Sequence, residues 1–139
     1  MNLSGLILAA GNSKRMGSSN KLLKKIDDLP MINHTVNAAI KSNLNDLFII
    51  TGYESVKVKN TLNSFKVNFI KNINWEEGMG SSISIGVQTI KNFSDGLMII
   101  LGDMPFIESS IINDLIKNFR KDKIIVPTRK GKKGHPILF

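Results

Sequence analysis

Nearly continuous apolar runs, each followed by a stretch with helical spacing, restrict the fold of this chain more than any other feature. The runs LSGLILA, LFIIT and LMIIL carry few polar positions, so each reads as a strand covered on both faces. The first strand spans Leu3–Ala9. After a loop and a short excursion at Lys24–Asp28, a helix carries Ile32, Val36, Ala39 and Ile40 on one face, with Pro30 in its first turn. Leu47–Thr51 reads as the second strand, Ser55–Leu62 as a helix, Val67–Ile70 as the third strand, Ser81–Ile90 as a helix and Leu97–Leu101 as the next strand. A helix beginning near Ser109 then sets Ile111, Leu115 and Phe119, with Ile112 and Ile116, on one stripe. Lys123–Val126 reads as a further strand. Strand and helix in repeated alternation predict an α/β fold, a Rossmann-like three-layer sandwich with a mostly parallel sheet. At 139 residues and 42% hydrophobic content, one domain with a sizeable core is expected, and no repeat or composition break marks a linker.

Composition excludes several classes. Without cysteine there is no disulfide framework and no thiolate metal site, and a cytoplasmic location is expected. The segment Leu3–Ala10 has the apolarity of a signal core, but no basic stretch precedes it and Lys14 and Arg15 follow it, so a buried strand is the better reading. No apolar run approaches the roughly 20 residues of a spanning helix. The net charge of +8 comes from lysines scattered among Asn and Ile, and a single Trp and a single Tyr leave little material for base stacking. Neither nucleic acid nor membrane is an expected partner.

Open parallel sheets bind ligands beyond the carboxyl ends of their strands, and polar segments fall at such ends. In LAAGNSKRMGSSNK, Gly11 and Gly17 permit backbone to approach an anion, while Arg15 and Lys21 supply the charge a triphosphate requires. The spacing matches neither the P-loop nor the dinucleotide fingerprint, and a solvated loop explains the same residues. In MIILGDMPF a buried strand delivers Asp103, followed by Pro105. A lone carboxylate there suits Mg²⁺, which takes one or two carboxylates and completes its shell with water and phosphates. A turn cap is the alternative. NWEEGMGSSISIG leads into Ser81 and Ser82 at a helix start, a place for ribose or phosphate oxygens or for plain capping. RKGKKGHPILF gathers Arg129, Lys130, Lys132 and Lys133 before His135, enough to neutralise the phosphate of a second substrate or simply to form a solvated turn. His135 itself has no orienting carboxylate near it in sequence and is not assigned a catalytic role.

Taken in order, LILAAGNSKRMG, NKLL, TGYES, NWEEGMGSS, LGDMP and GHPILF resemble the molybdenum cofactor cytidylyltransferases of the MobA-like nucleotidyltransferase family, from Gly5 to Phe139. The resemblance implies transfer of CMP from CTP to the phosphate of molybdopterin, with Mg²⁺ and release of pyrophosphate. It carries nucleotide binding onto Leu8, Ala9, Ala10 and Gly11, and onto Gly78, Ser81 and Ser82; phosphate binding onto Arg15 and Lys21; and metal binding onto Asp103. Arg15, Lys21 and Asp103 would thus be the catalytic set, and Gly134, His135 and Pro136 would face the pterin. A partner of xanthine dehydrogenase type would receive the product. Ser19 stands where relatives often have proline, and Gly80 where they often have a hydroxyl residue. The family continues beyond the position of Phe139, so C-terminal elements are expected to be lacking. Other readings are a guanylyl or other small-molecule nucleotidyltransferase, or a non-catalytic carrier of molybdenum cofactor.

Overall fold

The computed structural model describes residues 1–12 and 19–139. Its centre is a sheet in which four parallel strands, β1 (Leu3–Ala9), β4 (Asp46–Thr51), β5 (Asn68–Lys71) and β6 (Gly96–Leu101), are joined by one antiparallel edge strand, β9 (Ile137–Leu138). The order is β5-β4-β1-β6-β9. Two small antiparallel hairpins stand outside the sheet: β2 (Lys25–Ile26) with β3 (Leu29–Pro30), and β7 (Thr128–Arg129) with β8 (Lys132–Lys133). The helices are α1 (Met31–Ile40), α2 (Ser55–Thr61), α3 (Met79–Ile90) and α4 (Ser109–Lys117).

Side chains alternate across the strands, so each central strand feeds two cores. Leu3, Ile7, Leu47, Ile49, Met98 and Ile100 pack beneath α1, α2 and α4, together with Ile32, Val36, Val58, Leu62, Ile112 and Leu115. Leu6, Phe48, Ile50 and Ile99 point to the other face, where Ile90, Ile83 and Ile85 of α3 cover them. Both faces of β1, β4 and β6 are therefore dry, which explains their near-continuous apolar sequences. This is the expected three-layer α/β arrangement with a mostly parallel sheet.

The expected strand at Lys123–Val126 is not formed. Ile124 is 61% exposed, and only Ile125 makes a bridge, to Leu138. The apolar residues that extend the sheet are instead Ile137 and Leu138, paired with Ile99 and Met98. Two helical stripes are narrower than expected: Ile111 is 44% and Ile40 41% exposed, while Ile112, Leu115 and Val36 are buried. Phe119 is buried beyond the end of α4. Pro30 precedes α1 rather than opening its first turn. The helix placed at Ser81 begins two residues earlier, at Met79, behind a 3-10 turn at Trp75–Glu77.

Candidate active site

The strand order reverses at β1: the chain passes from β1 to β4 on one side and later returns to the other side with β6. A crevice opens beyond the carboxyl ends of strands at such a point. Here it is a cavity of about 710 Å³, within the roughly 300–1,000 Å³ of small-molecule sites. Leu8, Ala9, Ala10, Gly11 and Asn12 form one wall, and Leu101, Gly102 and Asp103 another. Lys21 and Leu22 lie over it, and Trp75, Glu76, Gly78, Met79 and Ser82 close the remaining side.

Lys21 reaches the cavity because Asn20, buried before it, accepts the Leu22 backbone N–H at 3.1 Å and starts a 3-10 turn at Lys21–Leu23. Its Nζ lies 3.2 Å from Asp103 Oδ2. Both side chains stay partly open to solvent, at 37% and 41% exposure. A cation and a carboxylate are thereby held facing one another at the mouth of a cavity, where either can exchange its partner for a ligand.

Asp103 sits one residue beyond a tightly fixed turn. The Gly102 N–H donates to Leu8 O at 3.0 Å, and its carbonyl accepts the Thr35 hydroxyl of α1 at 2.9 Å. A Cβ on Gly102 would lie 2.7 Å from Leu8 O, so only glycine allows β6 to end this close to β1.

The wall at 72–82 hangs on Asn72. Its backbone N–H donates to Thr51 O at 2.7 Å, and its Nδ2 donates to the hydroxyls of Ser81 and Ser82 at 2.9 and 3.0 Å. Its Oδ1 accepts the Asn74 N–H at 3.0 Å. Ser82 lines the cavity, whereas Ser81 does not; the Ser81 hydroxyl donates to Gly78 O at 2.7 Å within the first turn of α3. Trp75 stands against Tyr53 with ring centroids 5.4 Å apart.

Of the residues singled out from sequence, Leu8, Ala9, Ala10, Gly11, Lys21, Gly78, Ser82 and Asp103 lie together around the cavity. Arg15 and Gly17 lie outside the described residues. A Cβ on Gly11 would meet no atom of the described residues within 4 Å. Gly134, His135 and Pro136 do not line the cavity. The antiparallel register of β9 against β6 nevertheless leads the chain before Ile137 toward the carboxyl end of β6, the end that carries Asp103. Trp75, Glu76, Asn12 and the supports Thr35 and Asn72 were missed by sequence reasoning. The lone Trp of the chain, just before GMGSS, was the one signal present.

Among the described residues no three His, Asp or Glu side chains stand close enough to hold a metal by themselves. Asp103 nonetheless offers an accessible hard oxygen donor beside a cavity with room for phosphates, and this fits Mg²⁺ or Mn²⁺ bound jointly by protein, water and ligand.

Residues 5–139 match the model of the MobA-like NTP transferase domain. The chain belongs to this family. Among curated relatives, the bifunctional protein GlmU of Coxiella burnetii is 32% identical over 119 residues, 85% of this chain but 26% of that protein. The chain thus spans about a quarter of the curated relative's length. Rv0371c of Mycobacterium tuberculosis, in complex with manganese, superposes with a TM-score of 0.82 at 19% identity, over 100% of this chain and 71% of that one. CMP:2-keto-3-deoxy-manno-octonic acid synthetase complexed with CTP gives 0.72 at 21% identity, over 88% and 48%. At such identities the two structures speak for a shared fold. Among the described residues no helix is long and apolar enough to cross a membrane.

Proposed function

We propose that the chain is a nucleotidyltransferase that moves CMP from CTP to the phosphate of molybdopterin and releases pyrophosphate. The observation that carries the reading is the Lys21–Asp103 pair, 3.2 Å apart at the mouth of a cavity between the ends of β1 and β6. An acceptor phosphate oxygen forms a bond to the α-phosphorus of CTP, and the bond from that phosphorus to the bridging oxygen of the β-phosphate breaks. Such a reaction needs alignment and charge neutralisation more than a protein nucleophile. Lys21 would turn from Asp103 to the phosphates and stabilise charge developing on the departing pyrophosphate. Arg15 would act beside it. A divalent cation bound through Asp103 would polarise the α-phosphate and neutralise the leaving group. Ala9, Ala10 and Gly11 would pack against the nucleoside, with Gly78, Ser81 and Ser82 as the opposing segment, Ser81 through its support of the turn.

The acceptor side is read from charge. In the β7–β8 hairpin Arg129 and Lys132 are directly opposite one another, a like-charged cross-strand pair whose repulsion an anionic acceptor would relieve. Gly134, His135 and Pro136 connect this hairpin to β9 and would face the pterin. A cytoplasmic location and delivery to a molybdoenzyme of xanthine dehydrogenase type belong to the same proposal, and nucleic acid is not among the proposed partners. Incubation with molybdopterin, Mg²⁺ and each NTP in turn, with pyrophosphate release as the readout, tests it. Release with CTP is expected. Release with GTP alone would move the chain to the guanylyl branch, and release with neither would remove the assignment.

A further inference from the structure

We infer that Thr35, buried on α1 and bonded to Gly102 O, is a positioning residue that aims Asp103. The inference rests on the proposed role of Asp103 as a metal ligand and extends it into α1. The buried face of α1 consists of Ile32, Thr35, Val36 and Ala39, three apolar side chains and one hydroxyl. Thr35 is 0% exposed. Valine has the same shape, so packing alone does not call for a hydroxyl at this place. What the hydroxyl does is donate to Gly102 O at 2.9 Å, the carbonyl of the peptide that leads into Asp103.

A peptide group is planar, so fixing the Gly102 carbonyl also fixes the direction of the Asp103 N–H and the starting point of its side chain. The preceding peptide is held by Gly102 N–H donating to Leu8 O at 3.0 Å. The turn therefore has one anchor on each side of Gly102. Around it, Ile32 Cδ1 and Leu22 Cδ2 stand 3.0 and 3.4 Å from the place of a Gly102 Cβ, an apolar setting on that side. With the hydroxyl removed, the Gly102 carbonyl would have to rotate in search of a donor. Asp103 would rotate with it, away from Lys21 and from any cation shared with the nucleotide phosphates. Thr35 touches neither, and acts through the backbone.

The test compares wild type, Thr35→Val and Thr35→Ser by calorimetry of Mn²⁺-dependent CTP binding, each chain first shown to melt cooperatively. Partners that orient a metal ligand typically change metal affinity by about 10- to 100-fold when removed. Thr35→Val should lose Mn²⁺ affinity in that range while binding CTP without metal as wild type does. Thr35→Ser, which keeps the hydroxyl and loses a methyl, should retain wild-type Mn²⁺ affinity even with a lower melting temperature. Mn²⁺ affinity unchanged in Thr35→Val would overturn the inference. So would an equal loss in Thr35→Ser, which would assign the effect to packing; this arm remains decisive should Thr35→Val not fold. If wild-type CTP binding does not respond to Mn²⁺ at all, the proposed role of Asp103 fails first, and the inference falls with it.

Discussion

Gly11 lies two residues beyond the end of β1, with a backbone that has no need of left-handed geometry and with no atom of the described residues where a side chain would stand. Neither strain nor packing among the described residues requires a glycine there, whereas the proposed nucleotide in the cavity would. Gly11→Val should therefore leave stability within about 0.5 kcal/mol, while nucleotide affinity falls tenfold or more, about 1.4 kcal/mol; thermal melting and calorimetry check the two halves. Lys21 is the opposite case: in the proposed reaction its charge acts in the transition state. Lys21→Ala should reduce turnover by roughly 10²- to 10³-fold with little change in melting temperature, because its ion pair with Asp103 is solvent-exposed and contributes little to folding. At this scale the sequence displayed Lys21 and Asp103 openly, since charged residues at strand ends stand out from apolar surroundings. Thr35 and Asn72 stayed hidden because their tasks are contacts to Gly102 O, Ser81 and Ser82, which depend on tertiary proximity.

Elements buried on both sides were legible, and elements at the edge were not. The boundaries of β1 agree at both ends because each of its faces meets a core. At 123–126, apolar residues alone could not show that the sheet edge would be claimed by Ile137 and Leu138 from farther along the chain. In α4, a run of Ile111, Ile112, Leu115 and Ile116 admits several stripes, and docking selects the one with Ile112 and Leu115 inward. The packing of α3 on β1 makes a prediction: a Cβ on Gly86 would overlap the Leu6 side chain, which is fully buried. Overpacking costs about 1–3 kcal/mol, against a gain of up to about 1 kcal/mol in helix propensity from Gly to Ala. Gly86→Ala should be destabilising on balance, by up to about 2 kcal/mol, as a shift of the urea midpoint. At the amino ends of the strands, the Asn2 N–H donates to Asp95 Oδ2 at 2.7 Å. That hydrogen bond, helped by Lys121 and opposed by desolvation, holds the Asp95 carboxyl below its ordinary 3.8. A carboxyl lowered in the folded state stabilises above the unfolded value, and this contribution is lost as pH falls below 3.8 through the folded value. Asp95→Asn should flatten that part of the acid dependence in melting curves and leave nucleotide affinity unchanged, since the site lies at the other end of the sheet.

The whole molecule assembles its cavity from segments far apart in the chain. Lys21 and Asp103 are separated by 82 positions, and they meet because the strand order places β6 directly beside β1. An alternation of strands and helices announces such a crevice without saying which side chains enter it; Trp75, Glu76 and Met79 do so only because Asn72 folds their segment back over the sheet end. The chain carries a net charge of +8, and the β7–β8 hairpin sets Arg129 opposite Lys132. All these features converge on one claim, that the crevice takes a nucleoside triphosphate with a divalent cation held through Asp103. Calorimetric titration of CTP, GTP and ATP, each with and without Mg²⁺, into the wild-type chain and into Asp103→Ala tests it most directly. CTP should be the tightest ligand, with a Mg²⁺-dependent gain in affinity that Asp103→Ala abolishes. Triphosphate binding that is indifferent to Mg²⁺ and to Asp103, or no binding at all, would contradict it.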